Sequence, residues 1–562
     1  MRRKDFFRGV LCIALSLIFV LSMVGCSGGG PAASETGSGA APASTPAAAP
    51  AAKVEKMTTD VVVIGAGGSG SAAATQAAEL GAKVILLEKL AKPGGTTAMG
   101  GGLFGADSKL MKANGEKPVD TDALFAAWEK EMVWKADANL VRKYLALSSK
   151  TVDWLLERGY ELHKVAAVQL GHEFHGYHKY NELPPTKYFE RLLAGFQKNG
   201  GQLLLETPAK KLIVDEKGAV TGVIAEKKDG TQLEITAKSV VIATGGYVGD
   251  TKWVSEAFDG VTVAPAGLLS NVGDGIKMAW EAGAAHRGEN VHLAHVTKVP
   301  GDLSKFDPAQ SMLASSSIAY LAINPWVNSQ GVRFANEDII QDRALTSNAA
   351  IMQGNFYYTI FSKNMLDTLE AKGAAALGLQ EKVAMGPIEE LTPMKKGWTG
   401  LNAMIEELIN QKVAFKGNTY EELAKAAGMD PDKFVFYMNK YNADAKAGKD
   451  TLMGKRAAHM VPLGDGPYYA IKVVPTNLCT LGGIRINEDL QVVKDDPNSY
   501  APIPNLYACG SDVGGLYSDH YVLLEGGSQG WAYNSGRMAG ASAASNALGK
   551  KIVLPGLEAF MN

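Results

Sequence analysis

Cysteine is nearly absent from this sequence. The 562 residues contain 4, and two of these, Cys12 and Cys26, fall within the first 26 positions. Only Cys479 and Cys509 remain beyond them, which excludes a disulfide framework. No Cys-x-x-Cys-His occurs, so the chain attaches no c-type haem. Charge of one sign is missing as well. The 56 Lys and Arg are balanced by 58 Asp and Glu, for a net of −2, which argues against a broad basic surface for nucleic acid. Past the N-terminal segment, no apolar run reaches the roughly 20 residues that a membrane span prefers.

The N-terminus itself reads as a targeting segment. Arg2, Arg3, Lys4 and Arg8 precede the apolar stretch GVLCIALSLIFVLSMV, and small Gly25 stands just before Cys26. Residues 1–25 resemble a bacterial lipoprotein signal, with Cys26 lipidated and becoming the mature N-terminus. Met23 departs from the usual residue three before the cysteine, and the alternative is an uncleaved anchor. Either reading expects export and a body anchored to the outer face of the cytoplasmic membrane. Residues 26–56 are rich in Gly, Ser, Ala and Pro, which cannot build a core and reads as a tether.

Glycine is abundant, at 63 residues, so the spacing Gly65-x-Gly67-Gly68-x-Gly70 carries little weight alone. Its context carries more. The run DVVVIG is expected to be a strand buried on both faces. The Ala-rich stretch after it, closed by Gly81, reads as a helix, and KVILLEK as a second strand ending at Glu88. In such a β-α-β unit Gly65 permits the tight turn, Gly67 lets the backbone approach a pyrophosphate, and Gly70 lets helix and strand pack closely. The helix N-terminus favours the phosphates, and Glu88 accepts from a ribose hydroxyl. Residues 207–246 read as a β-meander ending in ATGG, and NLYACGSDVGG at 505–515 as another strand and ligand loop. No second complete unit of this kind occurs, which argues against a built-in NAD(P)H domain.

These motifs, in this order, resemble the FAD-binding flavoproteins of the fumarate reductase and succinate dehydrogenase group, above all the secreted fumarate reductases and relatives that reduce other alkenes. The resemblance runs from about residue 57 to 548. It implies an α/β fold: a doubly wound, Rossmann-like FAD-binding domain in two sequence pieces, 57–296 and 472–562, with an α+β capping domain, 297–471, inserted between them. It also implies FAD in an extended pose, with substrate between cap and flavin. Gly94 to Thr97, including Gly95 and Thr96, would lie along flavin and pyrophosphate, and Ala209 near the adenine. Thr244 and Gly245 would lie under the ADP part, and Asp274 on the isoalloxazine side. Asp512 resembles the acid that binds ribitol or ribose, and Gly527 and Ser528 match the loop over the pyrimidine ring. Gly68, Lys89, Gly101, Gly102 and Gly510 join the expected cofactor contacts. Relatives with covalent FAD carry a His after the glycine pair. GGTTAMGGG has none, so the flavin is expected to be non-covalent. No pattern for covalent FMN attachment occurs.

The expected active site departs from the fumarate reductases. Gly331, Arg333, Phe334, Asn336, Glu337 and Asp342 fit the family's strand and loop, but Gln341 occupies the position of the catalytic Arg. Ser316, Ser317 and Tyr320 stand where the family places a Thr-Glu-x-x-Arg relay. Cys479, in CTLGG, replaces a carboxylate-binding His, and Leu524 and Glu525 fall where an Arg precedes the last glycine pair. His295 alone survives from a His-Pro-Thr stretch. A dicarboxylate would thus lose several charge-assisted hydrogen bonds of about 1.5–3 kcal/mol each. Fumarate is a poor candidate, and Tyr320, Tyr517, Tyr521, Gln341 and Ser317 suggest neutral contacts to a larger molecule. Candidate proton donors are Tyr320, Tyr521 and protonated Glu525, with Arg343 less well placed by register.

The Gly-broken stretch GHEFHGYHKY holds His172, His175 and His178 but lacks the partners of a metal site, so no metal is expected. His175 or His178 would line the substrate cavity or sit in a surface loop. Three functions remain open. The first is an exported FAD-dependent reductase of an activated C=C bond in an unsaturated aromatic acid, polyphenol or enone. Its electrons would come from a separate flavin or haem protein or a quinol-linked membrane protein. The second is a dehydrogenase working in reverse, like the ketosteroid dehydrogenases. The third is a non-catalytic solute-binding lipoprotein, which the complete motif set argues against.

Overall fold

The run Val61–Ile64 ends a long strand, β1 (Val54–Ile64), and Val61, Val62 and Val63 are fully buried. The computed structural model describes residues 53–163, 174–182, 184–341, 343–379, 394–518, 521 and 524–560. The chain turns at Gly65, forms α1 (Gly68–Glu79) and returns as β2 (Val84–Leu87), parallel to β1 with Val61 opposite Val84. On the other side of β1 lies Gln232–Ile242, also parallel, with Val62 opposite Val240. The strand Pro502–Ala508 joins Gln232–Ile242 in parallel from the far end of the sequence. A single sheet is thus assembled from two pieces of chain, in the order 491–493, 502–508, 232–242, β1, β2, 202–204. The expected meander is present as the antiparallel strands Ala209–Val214, Val220–Glu226 and Gln232–Ile242.

The last helix, Gly527–Leu548, packs on α1 through small residues. A Cβ at Gly536 would stand 2.2 Å from the Ser69 carbonyl oxygen, and one at Gly540 2.3 Å from that of Ala73. The two backbones therefore touch, and both helices are buried nearly all round instead of showing one apolar stripe.

A second hydrophobic core draws its members from Val299 to Val473, including Trp326, Phe361, Trp398, Phe434 and Ile471. The 13-residue strand Tyr468–Thr480 connects the two cores. Its start pairs with Tyr357–Ser362 and Ala414–Gly417, its end pairs with His292–Lys298, and Cys479 belongs to the first core. No described helix is long and apolar enough to cross a membrane.

His172 lies outside the described residues. His178 is fully buried in the strand Tyr177–Tyr180, where burial lowers its pKa. Its Nε2 is 2.6 Å from Ser108 Oγ and its Nδ1 2.9 Å from the Gly176 carbonyl oxygen. It fastens this strand to the start of a short helix.

Candidate cofactor and active site

An open cleft lies where β1, β2 and the end of Gln232–Ile242 present their C-terminal turns, as expected at a topological switch point. The three glycines of the first turn have distinct reasons to be glycine. Gly65 has φ +101, and a Cβ there would meet the Ala243 carbonyl oxygen at 2.4 Å. At Gly70 a Cβ would stand 1.7 Å from the carbonyl oxygen of Gly65. Gly67 differs: its φ of −72 suits any residue, and the nearest atom to an added Cβ is 3.8 Å away. No protein atom requires glycine there, and the space a side chain would fill belongs to the cavity. The α1 N-terminus has no side-chain cap and no acid in its first turn. The Gly68 N–H is engaged by Thr97 Oγ1, while the helix dipole and the N–H groups that follow favour an anion. This fits the pyrophosphate of a dinucleotide.

The nucleotide end takes shape around Glu88. Its Oε2 accepts from the Ala66 N–H and its Oε1 from the Leu90 N–H, both at 2.8 Å. A carboxylate offers about four lone-pair sites, so capacity for a ribose hydroxyl is left. Ala209 lines the same region. So does Asp274. Asp274 opens the helix Asp274–Glu281 and lies 2.6 Å from the Lys89 ammonium, one residue past Glu88. The pair ties the first turn of this helix to the segment just past β2. Lys89 also donates to the Ser270 carbonyl.

Between the two ends, the Gly95–Thr97 turn crosses the α1 N-terminus, with the Gly68 N–H donating to Thr97 Oγ1 at 3.2 Å. Thr96, Thr97, Thr244 and Gly245 all line the cavity. Asn271, which sequence reasoning missed, ties them together. It is buried, and its Nδ2 donates to the Gly245 carbonyl at 2.9 Å and to Thr96 Oγ1 at 3.2 Å.

Asp512 departs from its expected contact with ribitol or ribose. Its carboxylate is fully buried and accepts from the N–H groups of Thr244, Gly245 (3.1 Å) and Gly246 (2.8 Å) and from Thr244 Oγ1 (3.0 Å). Those four donors use its four acceptor sites, so it acts through the loop it holds. Burial pushes the carboxyl upward against the pull of these donors, and a surround made only of donors fits the ionised form. Gly510, at φ +73, brings the same segment against α1, since a Cβ there would meet Ser69 Oγ at 2.4 Å. Gly101 and Gly102 also have packing reasons. Added Cβ atoms would meet the Tyr177 hydroxyl at 2.6 Å and the His178 carbonyl oxygen at 2.1 Å.

Beyond these loops lies the end where substrate is expected. Tyr521 Oη donates to the Leu524 carbonyl at 2.8 Å and accepts from the Ser528 N–H at 3.0 Å. It caps the last helix, with its single proton on the Leu524 carbonyl. Tyr517 stacks on Trp128, with centroids 5.4 Å apart, and lies beside Tyr521 and Gly527. Its hydroxyl is buried beside that of Tyr521. The buried Cys479 thiol sits by Ser511 and Ser528 and is pushed up to about 12 by burial, so it is neutral at pH 7. Gln529, also missed, bridges the two halves: its Nε2 donates to the Thr97 carbonyl at 3.0 Å, and its Oε1 accepts from the Tyr180 hydroxyl at 3.2 Å. Glu525 and Ser317 are buried and Ser316 half-buried. His295 lies in the strand His292–Lys298, Tyr320 and Gln341 each end a short 3-10 turn, and Arg343 opens the helix Arg343–Ile351. The side chains of these four, and all of Asp342, lie outside the described residues.

Beside the cavity, His292 is buried with Asn477 Nδ2 at 2.8 Å and the Tyr247 hydroxyl at 3.1 Å. Burial lowers it to about 4 from an ordinary 6.5. The unfolded chain thus takes up a proton before the folded one does. This contribution to stability is whole above pH 6.5 and drains as pH falls toward 4. Between pH 7 and pH 4.5 the loss is about 2 kcal/mol. Urea denaturation of the wild type and of His292→Gln at both pH values should show a smaller acid loss in the variant; equal losses would contradict this.

Residues 60–528 match the family described as the FAD binding domain. The vinyl phenol reductase of Lactiplantibacillus plantarum is 31% identical over 498 residues, covering 86% of this chain and 96% of its own. The urocanate reductase of Eggerthella lenta is 28% identical over 477 residues, covering 82% and 71%. Among solved structures, a flavocytochrome c3 fumarate reductase in its open conformation superposes with a TM-score of 0.64 at 26% identity, covering 88% of this chain and 79% of that one. With the open space at Gly67, the acid-free first turn of α1 and the Glu88 rim, the residues present fit FAD. This chain belongs to the fumarate reductase and succinate dehydrogenase family of FAD-binding flavoproteins and is an FAD-dependent oxidoreductase acting on CH–CH groups.

Proposed function

We propose that this protein reduces the activated C=C bond of a weakly charged, aryl-bearing or enone substrate and not fumarate. The observation that carries this reading is that the described wall at the substrate end presents a thiol and hydroxyls and no described cation. Cys479 is held as a thiol among the Ser511 and Ser528 hydroxyls, with Tyr517 and Tyr521 beside it. A dicarboxylate needs cations there, while a phenol or carbonyl oxygen needs neutral donors such as the Tyr517 hydroxyl. The likeness to a vinyl phenol reductase and a urocanate reductase supports a substrate whose alkene is conjugated to a ring.

Bound FAD, once reduced, supplies a hydride for one alkene carbon. The chain's own residues must hold the alkene in place, stabilise the charge that develops on the conjugated group, and pass a proton to the second carbon. With the Tyr521 proton engaged, Tyr320 is the favoured donor. Absence of a His from Gly94–Gly102 supports a non-covalent flavin. Electrons come from a separate flavin, haem or quinol-linked protein, and Cys26 carries a lipid that anchors the exported body.

The test is anaerobic. Protein reduced with dithionite is mixed with 4-vinylphenol, a hydroxycinnamic acid, a cyclic enone or fumarate, and flavin reoxidation is followed by stopped flow. At least one conjugated alkene should reoxidise the flavin at least 100-fold faster than fumarate. Fast reoxidation by fumarate would overturn the reading. Turnover seen only with a saturated ketone and an added oxidant would assign the protein as a dehydrogenase.

A further inference from the structure

A dense set of buried charges lies in the second core, away from the cofactor cavity. Arg333, Glu337, Asp450 and Lys455 have side chains no more than 1% exposed. The Arg333 guanidinium grips Asp450 through Nη1 and Nη2 at 3.0 and 2.8 Å, and Glu337 through Nε and Nη2 at 2.8 and 2.7 Å. The Lys455 ammonium stands 3.2 Å from Glu337. Glu337 Oε1 also accepts from the Trp326 N–H at 3.1 Å. The next residue, Asp338, faces a different set: it accepts from the Arg456 N–H at 2.8 Å and Nε at 3.2 Å and pairs with the His459 ring.

Glu337 and Asp338 are the first two residues of the five-residue turn that ends at Gln341. Their partners Lys455, Arg456 and His459, and Asp450, which reaches Glu337 through Arg333, all belong to one loop more than a hundred residues later. Buried ion pairs are weak sources of stability, because desolvating the charges offsets most of their attraction, and apolar replacements of similar volume are often neutral. What such a network does supply is geometry. Two consecutive side chains tied in different directions fix both the position and the rotation of a short turn. Thr346 Oγ1, donating to the Ile339 carbonyl at 3.1 Å, adds a tie from the helix that follows.

We propose that Glu337 and Asp338, clamped by the Asp450–His459 loop, are positioning residues that set the placement of Gln341 at the substrate. This rests on the reading of Gln341 as part of the active site. The clamp makes the cap loop a determinant of the chemical step, although none of its residues needs to touch substrate or cofactor. Asp338 is the informative position, because it lies at the edge of the network, half-buried, while Glu337 is sealed inside it.

The experiment compares Asp338→Asn, Asp338→Glu, His459→Gln and Gln341→Ala as purified holoproteins. Flavin content, thermal midpoint, and kcat and KM for a conjugated alkene are measured for each. Asp338→Asn and His459→Gln should lower kcat about 10-fold or more, with KM within 2-fold and flavin content unchanged. Asp338→Glu should recover part of the rate. A merely structural role would instead lower the midpoint and leave kcat per bound flavin as in wild type, and that result overturns the proposal. Gln341→Ala separates the two layers. A loss of rate there with none in Asp338→Asn removes only the positioning proposal. An unchanged rate in Gln341→Ala removes the reading of Gln341 and the proposal with it.

Discussion

Gly67→Val should yield a folded protein that no longer holds FAD. A Cβ at Gly67 has 3.8 Å of clearance, and the φ of −72 and ψ of −171 are comfortable for a branched residue. The protein without its cofactor has no steric reason to object. The added methyl groups would instead occupy the cavity at the α1 N-terminus, where the pyrophosphate is expected to approach the backbone. Close approach is the whole reason for glycine there. The expected result is a far-UV spectrum and urea midpoint like those of wild-type apoprotein, with FAD affinity reduced at least 100-fold by equilibrium fluorescence titration. The neighbour Gly70 gives the opposite pattern. Its Cβ would lie 1.7 Å from a backbone oxygen, so Gly70→Ala should lower apoprotein stability as well. Wild-type FAD affinity in Gly67→Val would show that the pyrophosphate lies elsewhere.

The contrast between these glycines shows what could be read from the sequence. The turn, the helix and Glu88 were legible because their roles are local: a short β-α-β unit sets the geometry, and spacing reports it. Asp274 was legible as a residue of the cofactor cleft, but its pairing with Lys89 was not, because that partner comes from 185 residues earlier. Asn271 and Gln529 left no signal, since a buried amide bridging two loops has no periodicity and no motif. Tyr521 looked like an acid because a tyrosine near a glycine pair has a hydroxyl to offer. Only the structure shows that proton bound to the Leu524 carbonyl. Arg333 and Glu337 matched a family pattern four residues apart, yet the loop that completes their charge network lies in another part of the chain. Local chemistry was readable, and the pairing of distant polar groups was not.

Asp512 is where that pairing carries the largest consequence. Removing its carboxylate by Asp512→Ala would strand the N–H groups of Thr244, Gly245 and Gly246, which have no other strand or helix to bond to. At about 1–3 kcal/mol for each buried unsatisfied donor, the cost approaches the 5–15 kcal/mol that holds a typical domain folded. Asp512→Ala should therefore accumulate as insoluble or flavin-free protein. Asp512→Asn keeps the shape and makes the test sharper. One amide oxygen can still serve Thr244 and Gly245, but the amide nitrogen, itself a donor, must then face the Gly246 N–H. One buried donor is lost and one donor–donor contact is created, while Thr244 Oγ1 can still accept from the amide. The asparagine variant should fold, melt several degrees below wild type and bind FAD 10- to 100-fold more weakly, because Thr244 and Gly245 line the cavity. Thermal melts of apoprotein, followed by flavin titration, separate the two effects. If Asp512→Asn binds FAD as wild type does, the loop does not depend on the charge beneath it. If it melts normally but loses FAD entirely, the carboxylate reaches the cofactor directly after all.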